Sequence, residues 1–126
     1  MAKILVIEDE GPIRNNLERL LRAEGYEVVT AENGALGVRA AARERPDLVL
    51  CDVLMPEMDG YGVLAALRQS GETARIPFIF LTASADRADR RLALEHGADE
   101  YITKPFKLQD VLAAIKRRLP GAAAGD

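Results

Sequence analysis

The chain has 126 residues, 48% of them hydrophobic and 29% charged, with a formal net charge of −3. That length fits one domain around one core, and the slightly acidic balance supplies no basic footprint for nucleic acid. A lone cysteine, Cys51, excludes an intrachain disulfide, and the apolar run from Ile4 to Ile7 is too short for a signal sequence or a membrane span, so a cytoplasmic chain with no direct nucleic-acid or membrane partner is expected.

KILVI (Lys3–Ile7) reads as the first strand. The stretch after it carries Ile13, Leu17, Leu20 and Leu21 on one helical face and closes at Gly25, a helix stop. EVVTA (Glu27–Ala31) is the second strand, and an alanine-rich helix over Gly34–Glu44 ends before Pro46. Gly34 and Gly37 both lower the propensity of that helix. LVLC (48–51) is the third strand, followed by a helix over 61–69 that Gly62 should fray at its start. FIFLT (Phe78–Thr82), introduced by Pro77, is the fourth strand. Asp86 can cap a helix that runs to His96 and stops at Gly97, and EYI (100–102) is a short fifth strand. Residues 108–119 form a last amphipathic helix with Val111, Leu112 and Ile115 inward, stopped by Pro120. One domain is expected over 1–119, with 120–126 a flexible tail or the start of a linker.

Alternating strands and helices imply an α/β fold, a parallel sheet wound on both faces by helices. Its strands should be continuous apolar runs, as these are. In such folds ligands bind beyond the carboxyl ends of the strands. Those ends carry Glu8 and Asp9, then Asp52, then Thr82, then Lys104. Close carboxylates repel, so at least one should hold a proton unless a cation arrives. Mg²⁺ suits them, because it takes carboxylates and keeps waters and phosphate oxygens, whereas no His or Cys stands at a strand end to favour zinc. A lysine and a hydroxyl beside an aspartate suit a phosphoryl group, and the aspartate can be the nucleophile that forms an acyl phosphate.

Taken singly, each residue has a plainer reading. Asp52 is a turn former or helix cap, Glu8 and Asp9 are solvated loop acids, Thr82 is a strand residue and Lys104 is a surface charge. Cys51 reads as a small core residue, His96 as a helix-end residue facing the last carbonyls, and Met55 and Met58 as loop packing. Arg90 and Arg91 read as a solvated face, with a docking surface as the functional alternative. The coincidence of Glu8, Asp9, Asp52, Thr82 and Lys104 at strand ends is what favours a functional reading.

The ordered segments ILVIEDE, DLVLCDVLMPEMDG, IPFIFLTASAD and GADEYITKPF resemble the receiver domain of two-component response regulators, over residues 3–119. The resemblance implies a flavodoxin-like five-stranded sheet of order 2-1-3-4-5 and a signalling switch that catalyses only its own phosphorylation and dephosphorylation. It implies that Asp52 accepts a phosphoryl group from a histidine kinase or histidine phosphotransfer protein. Asp9 would touch Mg²⁺ directly and Glu8 through water, with Asp52 and the Leu54 carbonyl as further ligands. Thr82 and Tyr101 match the switch pair, Lys104 matches the phosphate-binding lysine, and Lys104-Pro105 matches a cis peptide. Leu54 and Ser84 occupy the positions that influence phosphate lifetime in this family, and Leu54 can act there only sterically. Phosphorylation would draw the Thr82 hydroxyl toward the phosphate and let Tyr101 turn inward. The changed surface would meet a downstream output protein or domain, with homodimerisation a further expectation. A haloacid-dehalogenase-like phosphatase needs a second acid two residues past its nucleophile, where this chain has Leu54. A degenerate receiver that only binds partners is disfavoured by the complete residue set.

Overall fold

Strand and helix boundaries follow the punctuation of the sequence in the computed structural model, which describes residues 1–119; the expected tail at 120–126 lies outside the described residues. The elements run β1 (Lys3–Ile7), α1 (Gly11–Ala23), β2 (Glu27–Ala31), α2 (Gly34–Glu44), β3 (Leu48–Asp52), α3 (Gly60–Gln69), β4 (Phe78–Thr82), α4 (Arg87–Glu95), β5 (Glu100–Thr103) and α5 (Leu108–Arg118). Gly25 and Gly97 follow α1 and α4 with φ of 95° and 104°, the left-handed conformation that glycine adopts at no steric cost. Asn33, Asp59 and Asp86 cap α2, α3 and α4 by accepting from backbone N–H groups of the first turn.

All neighbouring strands pair in parallel, in the order β2-β1-β3-β4-β5. Successive residues of a strand face opposite sides of the sheet. Leu5, Ile7, Val49, Cys51, Phe78 and Phe80 therefore join one core with residues of α2, α3 and α4. Ile4, Val6, Leu48, Leu50, Ile79 and Leu81 join the other with α1 and α5. The helices lie on both faces, and a sheet so covered has no wet side for polar residues.

Five boundaries differ from the sequence reading, two of them the ends of α4 and α5, which stop one residue short at Glu95 and Arg118. β3 extends to Asp52, which pairs with Leu81, and β5 extends to Thr103, which pairs with Thr82. Ladder bonds from neighbours hold these polar residues in register, which composition alone does not reveal. α3 begins at Gly60, one residue early, and Gly62 does not fray it, because its N–H donates to Asp59 Oδ1 at 2.9 Å. In α5, Val111 and Ile115 are buried as expected, while Leu112 is only half-buried and Ala114 takes the second inward position.

Close approach explains two helical glycines. A Cβ on Gly37 would lie 2.5 Å from Ile7 Cδ1, so α2 packs directly on the end of β1. A Cβ on Gly60 would collide with the Asp52 carbonyl and lie 2.7 Å from the Phe80 ring, so the start of α3 seats against the end of β3.

Candidate functional site

Parallel register sets which side chains meet. Ile7 pairs with Cys51, so Glu8 stands level with Asp52. Asp52 pairs with Leu81, so Thr82 stands one residue beyond, and Thr82 pairs with Thr103, so Lys104 follows at the same edge. The ladder continues there: Glu8 N–H donates to Ala31 O at 3.0 Å and Lys104 N–H to Thr82 O at 2.7 Å. The chain reverses its direction of sheet growth between β1 and β3, and such a switch point opens the crevice where ligands bind. Glu8, Asp9 and Asp52 flank that crevice.

Glu8 is 1% exposed and Asp52 6% exposed. Lys104 Nζ donates to Glu8 Oε1 at 2.7 Å and lies 3.3 Å from Asp52 Oδ2. Glu8 Oε2 also accepts from the Glu10 N–H at 3.2 Å. Burial nonetheless dominates and pushes the Glu8 carboxyl up to about 7; the Lys104 bond opposes this, and the Asp52 charge adds to it. Burial acts to lower the Lys104 ammonium, but Glu8 and Asp52 together outweigh it and raise its pKa. Burial, with a smaller contribution from the Asp52 charge, thus makes Glu8 the acid of this cluster that holds a proton more readily than a free carboxyl.

Glu8, Asp9 and Asp52 each offer a carboxylate oxygen within 4.8 Å of the others. Asp9 Oδ1 is buried with no hydrogen-bond partner. A buried orphan carboxylate oxygen carries a desolvation cost that a ligand would remove. Three oxygen donors, one orphaned, fit a small hard divalent cation. Leu54 follows in the loop after β3 and is 72% exposed; its side chain carries no donor atom, so only its main-chain carbonyl is suited to ligation.

Thr82 is buried, and its Oγ1 accepts from the Ser84 N–H at 3.3 Å. Tyr101 lies inward, 5% exposed, and its hydroxyl donates to the Ser84 carbonyl at 2.8 Å. Cys51 is core, with burial pushing its thiol up. Met55 is buried and Met58 packs against the same core, as loop packing requires. His96 caps α4 through its backbone N–H, and its ring meets Tyr61 edge-on at 5.1 Å. Arg90 is not simply solvated, because its guanidinium lies 5.3 Å from the Tyr101 ring centroid. Arg14 was not singled out from sequence; it donates to the Glu8 carbonyl at 2.9 Å and fixes the turn that carries the acidic pair. Its position one turn into α1, facing back toward β1, was the available signal.

The doubly wound sheet and the acidic crevice at its switch point define an α/β protein that can hold a cation and an anion at one edge. A family model for the response regulator receiver domain matches residues 4–116. The chain is 48% identical over 117 residues to a probable transcriptional regulator, ycf27, of Cyanophora paradoxa, covering 93% of this chain and 48% of that protein. It is 42% identical over 114 residues to the alkaline phosphatase synthesis transcriptional regulatory protein PhoP of Bacillus subtilis, covering 90% and 47%. It therefore spans about half the length of the curated relatives it matches. The chemotaxis protein CheY4 of Vibrio cholerae superposes with a TM-score of 0.89 at 31% identity, over 94% of this chain and 99% of that one. The receiver domain of a sensor histidine kinase of Pseudomonas aeruginosa, with a magnesium ion coordinated in its active site cleft, gives 0.85 at 35% identity over 93% and 96%. This chain belongs to the response regulator receiver domain family. Among the described residues, no helix is long and apolar enough to cross a membrane.

Proposed function

We propose that this chain is a phosphorylation-dependent switch in which Asp52 accepts a phosphoryl group from a histidine kinase or a histidine phosphotransfer protein. The observation that carries the reading is the cluster itself: Asp52 beside Glu8 and the half-orphaned Asp9, with Lys104 within 3.3 Å. In the transfer, an Asp52 carboxylate oxygen attacks phosphorus, a bond from phosphorus to Asp52 forms, and the bond to the donor's histidine nitrogen breaks. Lys104 is free to turn from the carboxylates to a phosphoryl oxygen, and Thr82 offers a hydroxyl to another. Glu8, Asp9, Asp52 and the Leu54 carbonyl would hold Mg²⁺, which when bound supplies positive charge that offsets the phosphoryl oxygens. Lys104 and the buried walls exclude bulk water from the reacting carboxylate.

The Thr82 and Tyr101 side chains relay the new charge to α4, β5 and α5, whose surface meets a downstream output protein or domain. A swing from mostly off to mostly on needs differential binding of about 5 kcal/mol. The relatives named as transcriptional regulators support transcription as the output; a cytoplasmic place and homodimerisation on phosphorylation are part of the proposal. Domain limits of 1–119 are likewise proposed. Acetyl phosphate with Mg²⁺ should label the chain stoichiometrically, Asp52→Asn should abolish the label, and no phosphomonoester should turn over. Unchanged labelling of Asp52→Asn, or sustained phosphomonoester turnover, refutes it.

A further inference from the structure

The inward position of Tyr101 is held by a chain of bonds that runs through the loop between β4 and α4. Its hydroxyl donates to the Ser84 carbonyl at 2.8 Å, and Arg90 stacks on its ring. The Ser84 hydroxyl donates to Asp89 Oδ2 at 2.5 Å and accepts from the Asp86 N–H at 3.3 Å. Asp86 in turn caps α4 by accepting from the Ala88 N–H at 2.7 Å. These bonds lead into the first turn of α4 and not to Asp52, while the Ser84 N–H donates back to Thr82 Oγ1 at 3.3 Å. α4 itself is shallowly seated, with Ala93 its one buried residue. An element with so little buried apolar surface takes its position from a few polar contacts. A short hydroxyl-to-carboxylate bond is among the stronger of these.

We propose that Asp89 is a positioning residue of the switch, latching the loop between β4 and α4 over Tyr101 through Ser84. The latch favours the inward tyrosine independently of Asp52. Its consequence for phosphoryl binding rests on the reading above: if the inward tyrosine belongs to the state that holds phosphate better, the latch raises the apparent affinity of that state by raising its population. Asp89 also lies in the acidic first turn of α4, where its charge favours the helix N-terminus. Asp89→Asn separates the two roles, because the amide keeps an acceptor oxygen for Ser84 and loses the charge.

The test labels the whole chain with fluorotyrosine and reads Tyr101 by fluorine NMR without added ligand; Tyr101→Phe assigns its resonance among the three tyrosines. Asp89→Ala and Ser84→Ala should each move the Tyr101 resonance toward its solvent-exposed position, Ser84→Ala at least as far, because it also removes the acceptor for the Asp86 N–H. The double variant should move it no further than Ser84→Ala alone, since both single changes remove the Ser84–Asp89 bond. Asp89→Asn, which keeps an acceptor but loses the charge, should move it less than Asp89→Ala does. Beryllium fluoride with Mg²⁺ should bind Asp89→Ala about fivefold more weakly, the equivalent of one net hydrogen bond. An unmoved Tyr101 resonance in Asp89→Ala, or additive shifts in the double variant, overturns the latch. If beryllium fluoride fails to bind the parent chain, the phosphoacceptor reading falls instead, and the ligand-free resonance still decides the latch.

Discussion

Raising the pH of the metal-free protein should weaken it through one identifiable group. Glu8 is 1% exposed, and burial outweighs the Lys104 ammonium at 2.7 Å, so its carboxyl is raised from 4.5 to about 7. An acid raised in the folded state binds its proton more tightly there than in the unfolded chain. The native state therefore holds more protons between these two values, and stability falls as pH rises from about 4.5 to about 7. Below that window the contribution is fully present, and above it the contribution is lost. The gap corresponds to about 3 kcal/mol. Lys104, raised rather than lowered, stays charged throughout and adds no slope. Urea unfolding from about pH 5 to about pH 8 in chelator, on the parent and on Glu8→Gln, isolates the group. The parent should lose about 2–3 kcal/mol more than Glu8→Gln across that range. Added Mg²⁺ should restore stability at the alkaline end by mass action, and less at the acid end, where it competes with the Glu8 proton. A Glu8→Gln chain with the parent's slope would show that another group titrates and that the acids are not crowded as described.

Three further outcomes follow from packing and caps. Gly37→Ala gains helix propensity of about 1 kcal/mol but drives a methyl against Ile7 at 2.5 Å in a filled core, so thermal unfolding should show a net loss of about 1–2 kcal/mol. Asp59→Ala removes the acceptor for the Gly62 N–H and should cost about 1 kcal/mol in denaturant melts, with Asp59→Asn close to the parent. Arg68 donates to the Ala74, Ile76 and Gly97 carbonyls and so ties the end of α3 to the turns before β4 and β5; Arg68→Ala should cost about 1–3 kcal/mol and speed amide exchange around Gly97.

Local chemistry made the elements legible. Runs such as KILVI and FIFLT are apolar on both faces, and Asn33, Asp86, Gly25 and Gly97 mark starts and stops by mechanisms that need no tertiary context. The sequence pattern ends the third strand at Cys51, because Asp52 is no longer apolar, and the ladder to Leu81 carries it one residue further. Strand ends were also a sound guide to which residues share an edge, since parallel register carries Glu8, Asp52, Thr82 and Lys104 to one side. Pairings across that edge were not legible. Lys104 joins Glu8 across 96 residues of sequence, whereas its place in the sequence points to phosphate. Arg90 on Tyr101 and His96 on Tyr61 depend on how α4 leans over the sheet, which no periodicity encodes.

The two halves of the proposed switch differ in how firmly they are seated, and the difference has a sequence origin. The acid edge stands on β1 and β3, buried on both faces, with Gly37 and Gly60 drawing α2 and α3 against Ile7 and the Asp52 carbonyl. Close packing of that kind resists displacement, because any shift opens a void or forces a clash. α4 has the opposite composition: RADRRLALE offers Ala93 to the core and leaves Leu92 and Leu94 about half exposed. Its attachment is polar, through Ser84, Asp86 and Asp89 at one end and Arg68 with Gly97 at the other. Polar contacts at a wet surface exchange for water at small net cost, whereas buried apolar contacts do not. A charge added at the rigid edge therefore finds α4 easier to move than α2 or α3.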